Sequence, residues 1–134
     1  MITRMALLLA LITAPALLYA AEHTKDSLET IKKATADQSA VLVDVREAAE
    51  WKEGHVKGAT FLPLSELKEA NAEAVAKKLP KDKIIYTHCR AGRRSVAAAE
   101  LLEKMGYDVR PLKPGFEDIL KAGFEKEIGE PKKE

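Results

Sequence analysis

The chain has 134 residues, 46% of them apolar and 5% aromatic, which suffices for one domain with an aliphatic, Ala-rich core and not for two. Its formal net charge is only +1, so no charge field of either sign recruits nucleic acid or a membrane surface, and any basic function has to be local. There is no internal repeat and no low-complexity tract.

The first twenty residues differ from the rest. Arg4 precedes an apolar run from Met5 to Leu18, interrupted by Thr13 and Pro15, and then comes Tyr19-Ala20-Ala21 and polar sequence. A short positive end, an apolar stretch and small residues at the exit mark a secretory signal peptide. The run is short for a bilayer span, which takes about 20 apolar residues, and Pro15 works against a continuous helix. The expected organisation is a signal peptide over 1–20, cleaved after Ala20 in preference to being retained as a membrane anchor, a domain over 21–130 and a frayed tail over 131–134. Such a protein is periplasmic or secreted, with no stable membrane association after cleavage. Exported proteins usually pair their thiols. With a single cysteine, Cys89, no internal disulfide can form, so the thiol is either buried and inert or kept for chemistry.

Past the leader, Glu22–Lys25 reads as a short edge strand. Asp26 with Glu29 resembles a capping box, and Leu28 and Ile31 begin an apolar face, so a helix is expected over Ser27–Ala34. Val41-Leu42-Val43-Asp44-Val45 is a continuous β-branched run of the kind buried on both faces of a sheet. Arg46–Glu53 reads as a helical turn ended by Gly54, and Ala59–Leu62 as a short strand. Ser65 opens a helix that carries Leu67, Ala70, Val75 and Leu79, with a break near Asn71 and a stop at Pro80. Lys83–His88 is the second clear strand, with Cys89 at its carboxyl end. A short loop, Arg90–Arg94, leads into a helix from Ser95 whose apolar residues fall at helical spacing, closed by Gly106. Val109–Leu112 is an edge strand because of Pro111, and Phe116–Lys121 is the last helix. Strands alternating with helices predict an α/β fold with a mostly parallel sheet covered on both faces. Ligands of such sheets bind beyond the carboxyl ends of the strands, where Cys89 stands.

Four features converge on the segment His88-Cys89-Arg90-Ala91-Gly92-Arg93-Arg94-Ser95. A tight strand-to-helix turn directs successive backbone N–H groups inward as an anion nest. The following helix adds the positive end of its dipole. Gly92 gives the backbone conformations closed to other residues, and Arg90, Arg93 and Arg94 add permanent positive charge. Each favours a cysteine thiolate over the thiol. The bland alternative, a buried Cys89 acting as a small hydrophobe, sits poorly with three arginines around a Gly-containing turn.

Two stretches resemble the rhodanese homology domain. Asp44-Val45-Arg46, Glu50-Trp51, Gly54-His55-Val56-Lys57-Gly58-Ala59 and Pro63 resemble the family's amino-terminal signature. Cys89 to Ser95 resembles its active loop, with Gly92 third after Cys89. The likeness runs from about Ser27 to Phe124. It implies a three-layer α/β/α fold with about five short strands. It also implies Cys89 as nucleophile, and Arg90, Ala91, Gly92, Arg93, Arg94 and Ser95 as the substrate-binding loop. The implied reaction transfers sulfur from thiosulfate or a similar small anion to cyanide or a thiol through a persulfide on Cys89, with no metal or organic cofactor. One departure is Lys113-Pro114-Gly115-Phe116, where many relatives have Gly-Gly before an aromatic residue.

Two rival functions stand beside this one. Cysteine phosphatases and arsenate reductases of the same fold use Cys, five residues, then Arg. Here four residues separate Cys89 from Arg94, and by family analogy the shorter ring of N–H groups suits a terminal sulfur and is too small for phosphate. A sulfur-carrier module that passes its sulfur to a partner protein shares the persulfide and differs only in the acceptor. Asp44 and Arg46, at the same sheet edge, either support the loop or, as the simpler reading, form an ion pair that holds the fold, with Glu50 as a further partner. His55 is expected at the surface or capping a helix in preference to facing the pocket. His88 and Cys89, adjacent on a strand, point to opposite faces, which disfavours a metal held by that pair.

Overall fold

The computed structural model describes residues 21–130; the expected signal peptide over 1–20 and the tail over 131–134 lie outside the described residues. In chain order the elements are α1 (Leu28–Ala36), β1 (Ala40–Asp44), α2 (Ala48–Glu53), β2 (His55–Val56), β3 (Thr60–Phe61), α3 (Leu64–Glu69), α4 (Ala72–Ala76), β4 (Ile84–His88), α5 (Arg93–Lys104), β5 (Val109–Pro111), α6 (Phe116–Lys121) and β6 (Lys126–Glu127). Among the described residues no helix is long and apolar enough to cross a membrane.

The two β-branched runs make the centre of the molecule. β1 and β4 pair in parallel over their full length, from Ala40 opposite Ile84 to Asp44 opposite His88. The sheet order is β3-β1-β4-β5 and every pairing in it is parallel. It has four strands where about five were expected. The segment Glu22–Lys25 forms no strand. It makes one backbone bond to the sheet edge, from the Thr24 N–H to the Pro111 carbonyl at 2.8 Å, and Pro111 has no N–H to return a ladder bond. A separate antiparallel ribbon joins β2 to β6. No expectation covered β6, whose Lys-Glu sequence carries no strand signal.

Period-two alternation sends side chains of each central strand to opposite faces. Val43, Val45, Ile85 and Cys89 face one buried cluster, which α3, α4 and α5 close with Leu67, Val75, Ala98, Ala99 and Leu102. Ala40, Leu42 and Tyr86 face a second cluster, closed by Ile31 of α1 and by Phe116 and Ile119 of α6. The three layers are thus helices, parallel sheet and helices. Ala98 and Ala99 are fully buried where α5 crosses the sheet, and their small size lets the helix approach closely.

Helix ends follow local chemistry. Ser27, one residue after the expected Asp26, caps α1: its hydroxyl accepts the Thr30 N–H at 3.1 Å. Asp26 instead accepts the Tyr86 hydroxyl at 2.6 Å and an Arg110 N–H at 2.9 Å. Burial, with the Asp26 carboxylate next in weight, pushes the Tyr86 phenol up to about 12, so it remains the donor of that pair. The expected break near Asn71 is real: α3 ends at Glu69, and the Asn71 side chain caps α4 by accepting the Ala74 N–H at 2.9 Å. α5 starts at Arg93, two residues before the expected Ser95, because Gly92 takes the left-handed conformation (φ 91°) and caps it.

From β1 the chain first adds β3 on one side and later β4 on the other, so connections diverge at the carboxyl ends of β1 and β4. Asp44, His88 and Cys89 lie at this switch point, the place where open parallel sheets bind ligands.

Candidate active site

β4 ends at His88, and the next four residues turn back into α5. The Cys89 sulfur accepts two backbone N–H groups, from Gly92 at 3.1 Å and from Ser95 at 3.4 Å. It faces the amino-terminal end of a twelve-residue helix, whose unpaired N–H groups and dipole favour negative charge there. Cys89 is only 1% exposed, yet with Arg90, Ala91, Arg93 and Arg94 it lines a hollow of about 350 Å³. Arg90, Ala91 and Arg93 are exposed around that hollow, and Gly92 and Ser95 are buried beneath it.

The loop is held from below. The buried Ser95 hydroxyl lies 2.9 Å from both the Gly92 and the Leu112 carbonyl oxygens, and with a single proton it donates to one at a time. The Thr87 hydroxyl donates to the Ser95 carbonyl at 2.9 Å, tying β4 to the first turn of α5. Opposite, the Phe116 N–H donates to the Cys89 carbonyl at 3.0 Å. A Cβ on Gly115 would overlap the Arg90 carbonyl oxygen, and one on Gly92 would come within 2.9 Å of the Lys113 carbonyl oxygen. The turn with Pro114 therefore packs directly on the loop, and of a Gly-Gly pair it keeps the glycine that this contact requires.

The three loop arginines separate. Arg94 turns from the hollow's centre to grip Glu50 with two nitrogens, at 2.6 and 3.0 Å. The Arg94 guanidinium holds the Glu50 carboxyl below its ordinary range, against a smaller opposing effect of burial. The Glu50 oxygen also accepts the Glu47 N–H at 3.2 Å, so α2 and the loop share one carboxylate. Arg90 and Arg93 remain at the rim.

Asp44 and Arg46 form a buried ion pair, 0% and 4% exposed. The Asp44 carboxylate accepts the Arg46 backbone N–H at 2.9 Å and its guanidinium at 2.8–3.1 Å. Arg46 also donates to the Gly54 carbonyl at 2.7 Å and lies over the Phe116 ring at 4.0 Å. The two residues make the ion pair that the simpler reading expected of them. Glu50, expected to join them, binds Arg94 instead.

His88 points to the face opposite Cys89, fully buried, its ring stacked 6.3 Å from Phe116. Neither ring nitrogen makes a hydrogen bond of good geometry, and Asp44 lies 3.7 Å from Nε2. Burial depresses its pKa, and the attraction of Asp44 offsets only part of that. The folded state thus keeps His88 neutral while the unfolded chain protonates it near its ordinary value of about 6.5. As pH falls below that value the unfolded state binds the extra proton, and stability is lost down to the depressed folded pKa. Urea unfolding between pH 7 and 5 is expected to show a stability that falls toward the acid side, with a slope that His88→Asn flattens by at most about 1.4 kcal/mol per pH unit. Equal slopes in the two proteins would contradict this.

His55 is buried at 5% exposure, not at the surface. Its ring stacks on Trp51 at 3.6 Å and its Nδ1 donates to the Trp51 carbonyl at 3.0 Å, so it caps α2, the other half of that expectation. One residue near the loop had no role assigned from the sequence, where it is one of three scattered histidines: His23, whose Nε2 is 2.7 Å from the Gly92 carbonyl oxygen. Its separation of 69 residues leaves no spacing pattern to find.

With this geometry in place the comparisons are specific. The Rhodanese-like domain family model matches residues 27–122. The chain belongs to the rhodanese family. The thiosulfate sulfurtransferase PspE of Escherichia coli (strain K12) is 40% identical over 77 residues, covering 58% of this chain and 71% of that one. YrkF of Bacillus subtilis (strain 168), named as a candidate sulfur carrier protein, is 37% identical over 94 residues, covering 69% of this chain and 48% of its own. The chain spans 59% of the length of a Schizosaccharomyces pombe relative. Among solved structures, the human single-domain sulfurtransferase TSTD1 is similar with a TM-score of 0.63 at 26% identity, covering 72% of this chain and 94% of that one. This rhodanese therefore has relatives named for sulfur transfer and for sulfur carriage.

Proposed function

We propose that this rhodanese is a sulfurtransferase that takes a sulfane sulfur from thiosulfate or a similar small anion and holds it as a persulfide on Cys89. The Cys89 thiolate attacks the outer sulfur of thiosulfate. A new S–S bond forms, the old one breaks, and sulfite leaves with the electron pair. A nucleophile, cyanide or a thiol, then attacks the terminal sulfur and Cys89 departs as thiolate. Covalent transfer of this kind gives ping-pong kinetics. Arg90 and Arg93 attract the anionic donor, and the N–H groups from Gly92 to Ser95 hold the negative sulfur of the persulfide. Arg94, fixed by Glu50, closes the loop.

The observation that carries the reading is the convergence of two backbone N–H groups and a helix terminus on one sulfur at the floor of an arginine-rimmed hollow. A leader over 1–20 makes export to the periplasm or beyond part of the proposal. Intact-mass measurement after thiosulfate exposure tests it: the wild type is expected to gain one sulfur atom and Cys89→Ser none. Phosphate-ester hydrolysis without sulfur uptake would replace this reading with phosphatase chemistry. The likeness to YrkF favours one variation, in which the acceptor is a thiol on a partner protein. Persulfide that forms normally but passes to no small acceptor would select it.

A further inference from the structure

The segment that precedes α1 lies outside the 27–122 family match, yet it runs across the sheet edge to the loop. Several points fix it. Ala21 is buried in the same cluster as Cys89. The Thr24 N–H donates to the Pro111 carbonyl at 2.8 Å. Asp26 accepts both Tyr86 and Arg110. Between these anchors His23 reaches the Gly92 carbonyl at 2.7 Å. A carbonyl oxygen can only accept, so His23 Nε2 carries the proton and donates.

The Gly92 carbonyl belongs to the peptide that joins Gly92 to Arg93, the first peptide of α5. In a trans peptide the C=O and N–H point in opposite directions. Carbonyls of a helix point toward its carboxyl end and N–H groups toward its amino end, so the Arg93 N–H is among the unpaired donors at the end facing Cys89. Holding this carbonyl fixes the direction of that N–H. A donor on the oxygen also polarises the amide and strengthens its N–H as a donor.

We propose that His23 is a positioning residue of the sulfur-transfer loop: from a strap outside the family match, it holds and polarises the Gly92–Arg93 peptide so that the Arg93 N–H faces the transferred sulfur. This inference rests on the sulfur-transfer reading above. The strap acts on the sulfur that moves rather than on donor capture, because the rim arginines, not this peptide, meet the incoming anion.

The test compares wild type, His23→Ala and His23→Gln, since a glutamine amide places a donor N–H about where the imidazole Nε2 stands. Single-turnover sulfur uptake from thiosulfate, read by quenched intact mass, is expected to slow roughly three- to tenfold in His23→Ala, the range of one ordinary hydrogen bond. The thiosulfate concentration for half-maximal rate and the melting temperature stay near wild type, and His23→Gln recovers most of the rate. Wild-type speed in His23→Ala overturns the inference, as does slowing in both variants that tracks a lowered melting temperature. The Arg93 amide signal in the resting protein gives a readout independent of turnover. It is expected to shift and exchange faster in His23→Ala and to recover in His23→Gln, and an unchanged signal overturns the inference. Wild-type protein that takes up no sulfur sinks the transfer reading itself and leaves the amide measurement to decide whether His23 holds the peptide.

Discussion

Asp44→Ala is expected to destabilise the fold by about 3–5 kcal/mol, the cost of leaving a buried charge without its partner. Asp44 is fully buried, and its carboxylate is the only acidic group paired with Arg46 among the described residues. Removing it strands a guanidinium that is 4% exposed, with the Gly54 carbonyl as its remaining hydrogen-bond acceptor, the Phe116 ring in contact and Glu50 across a shared hollow. For a domain of this size the loss corresponds to a fall in melting temperature on the order of 10–20 °C. The pair itself contributes far less than its breakage costs, because both charges were taken out of water to form it. A double replacement, Asp44→Leu with Arg46→Met, is therefore expected to recover much of the lost stability, and denaturant melts of wild type, Asp44→Leu, Arg46→Met and the double give the coupling directly. A single variant within 1 kcal/mol of wild type, on the scale of an exposed pair, would show that water reaches Arg46.

The second large effect is expected at Gly115. Its backbone is extended (φ −86°, ψ −180°), so alanine meets no conformational barrier there. The obstacle is space: the new methyl overlaps the Arg90 carbonyl oxygen and stands 2.6 Å from the Arg90 carbonyl carbon. Both are backbone atoms and cannot rotate away. Either the start of α6 or the Cys89–Arg90 segment has to move, and the bond from the Phe116 N–H to the Cys89 carbonyl is strained or lost. Gly115→Ala is expected to cost about 3 kcal/mol, the upper part of the range for overpacking, and to reduce sulfur uptake at temperatures where the protein is still folded. Gly54→Ala is the control, because a methyl there meets only the far end of the flexible Lys126 side chain. Equal melting temperatures for the two variants would show that the turn yields without disturbing the loop.

These two positions illustrate different degrees of legibility. Asp44 and Arg46 stood out in sequence because they end a β-branched run, and an ion pair was the natural reading of two opposite charges at a buried edge. Gly115 was visible only as half of an altered Gly-Gly pair. Its need for a bare Cα comes from Arg90, 25 positions away, and appears only when α6 is docked on the loop.

The α/β class, the two central strands, the helix that follows the loop and the placing of Cys89 at a strand end beside a glycine and three arginines were all legible in the order of the amino acids. These are properties of short segments: β-branched runs, helical periodicity, a turn glycine and a single thiol all act within a few residues of themselves. Tertiary structure alone decided which charges meet. Glu50 pairs with Arg94 and not with Arg46, Asp26 serves Tyr86 and Arg110 and not its own helix, and His23 reaches the loop from a segment read as a strand. Ion pairs and hydrogen bonds between distant segments depend on angstrom-scale placement, to which composition and periodicity are blind, and so does the steric demand on Gly115.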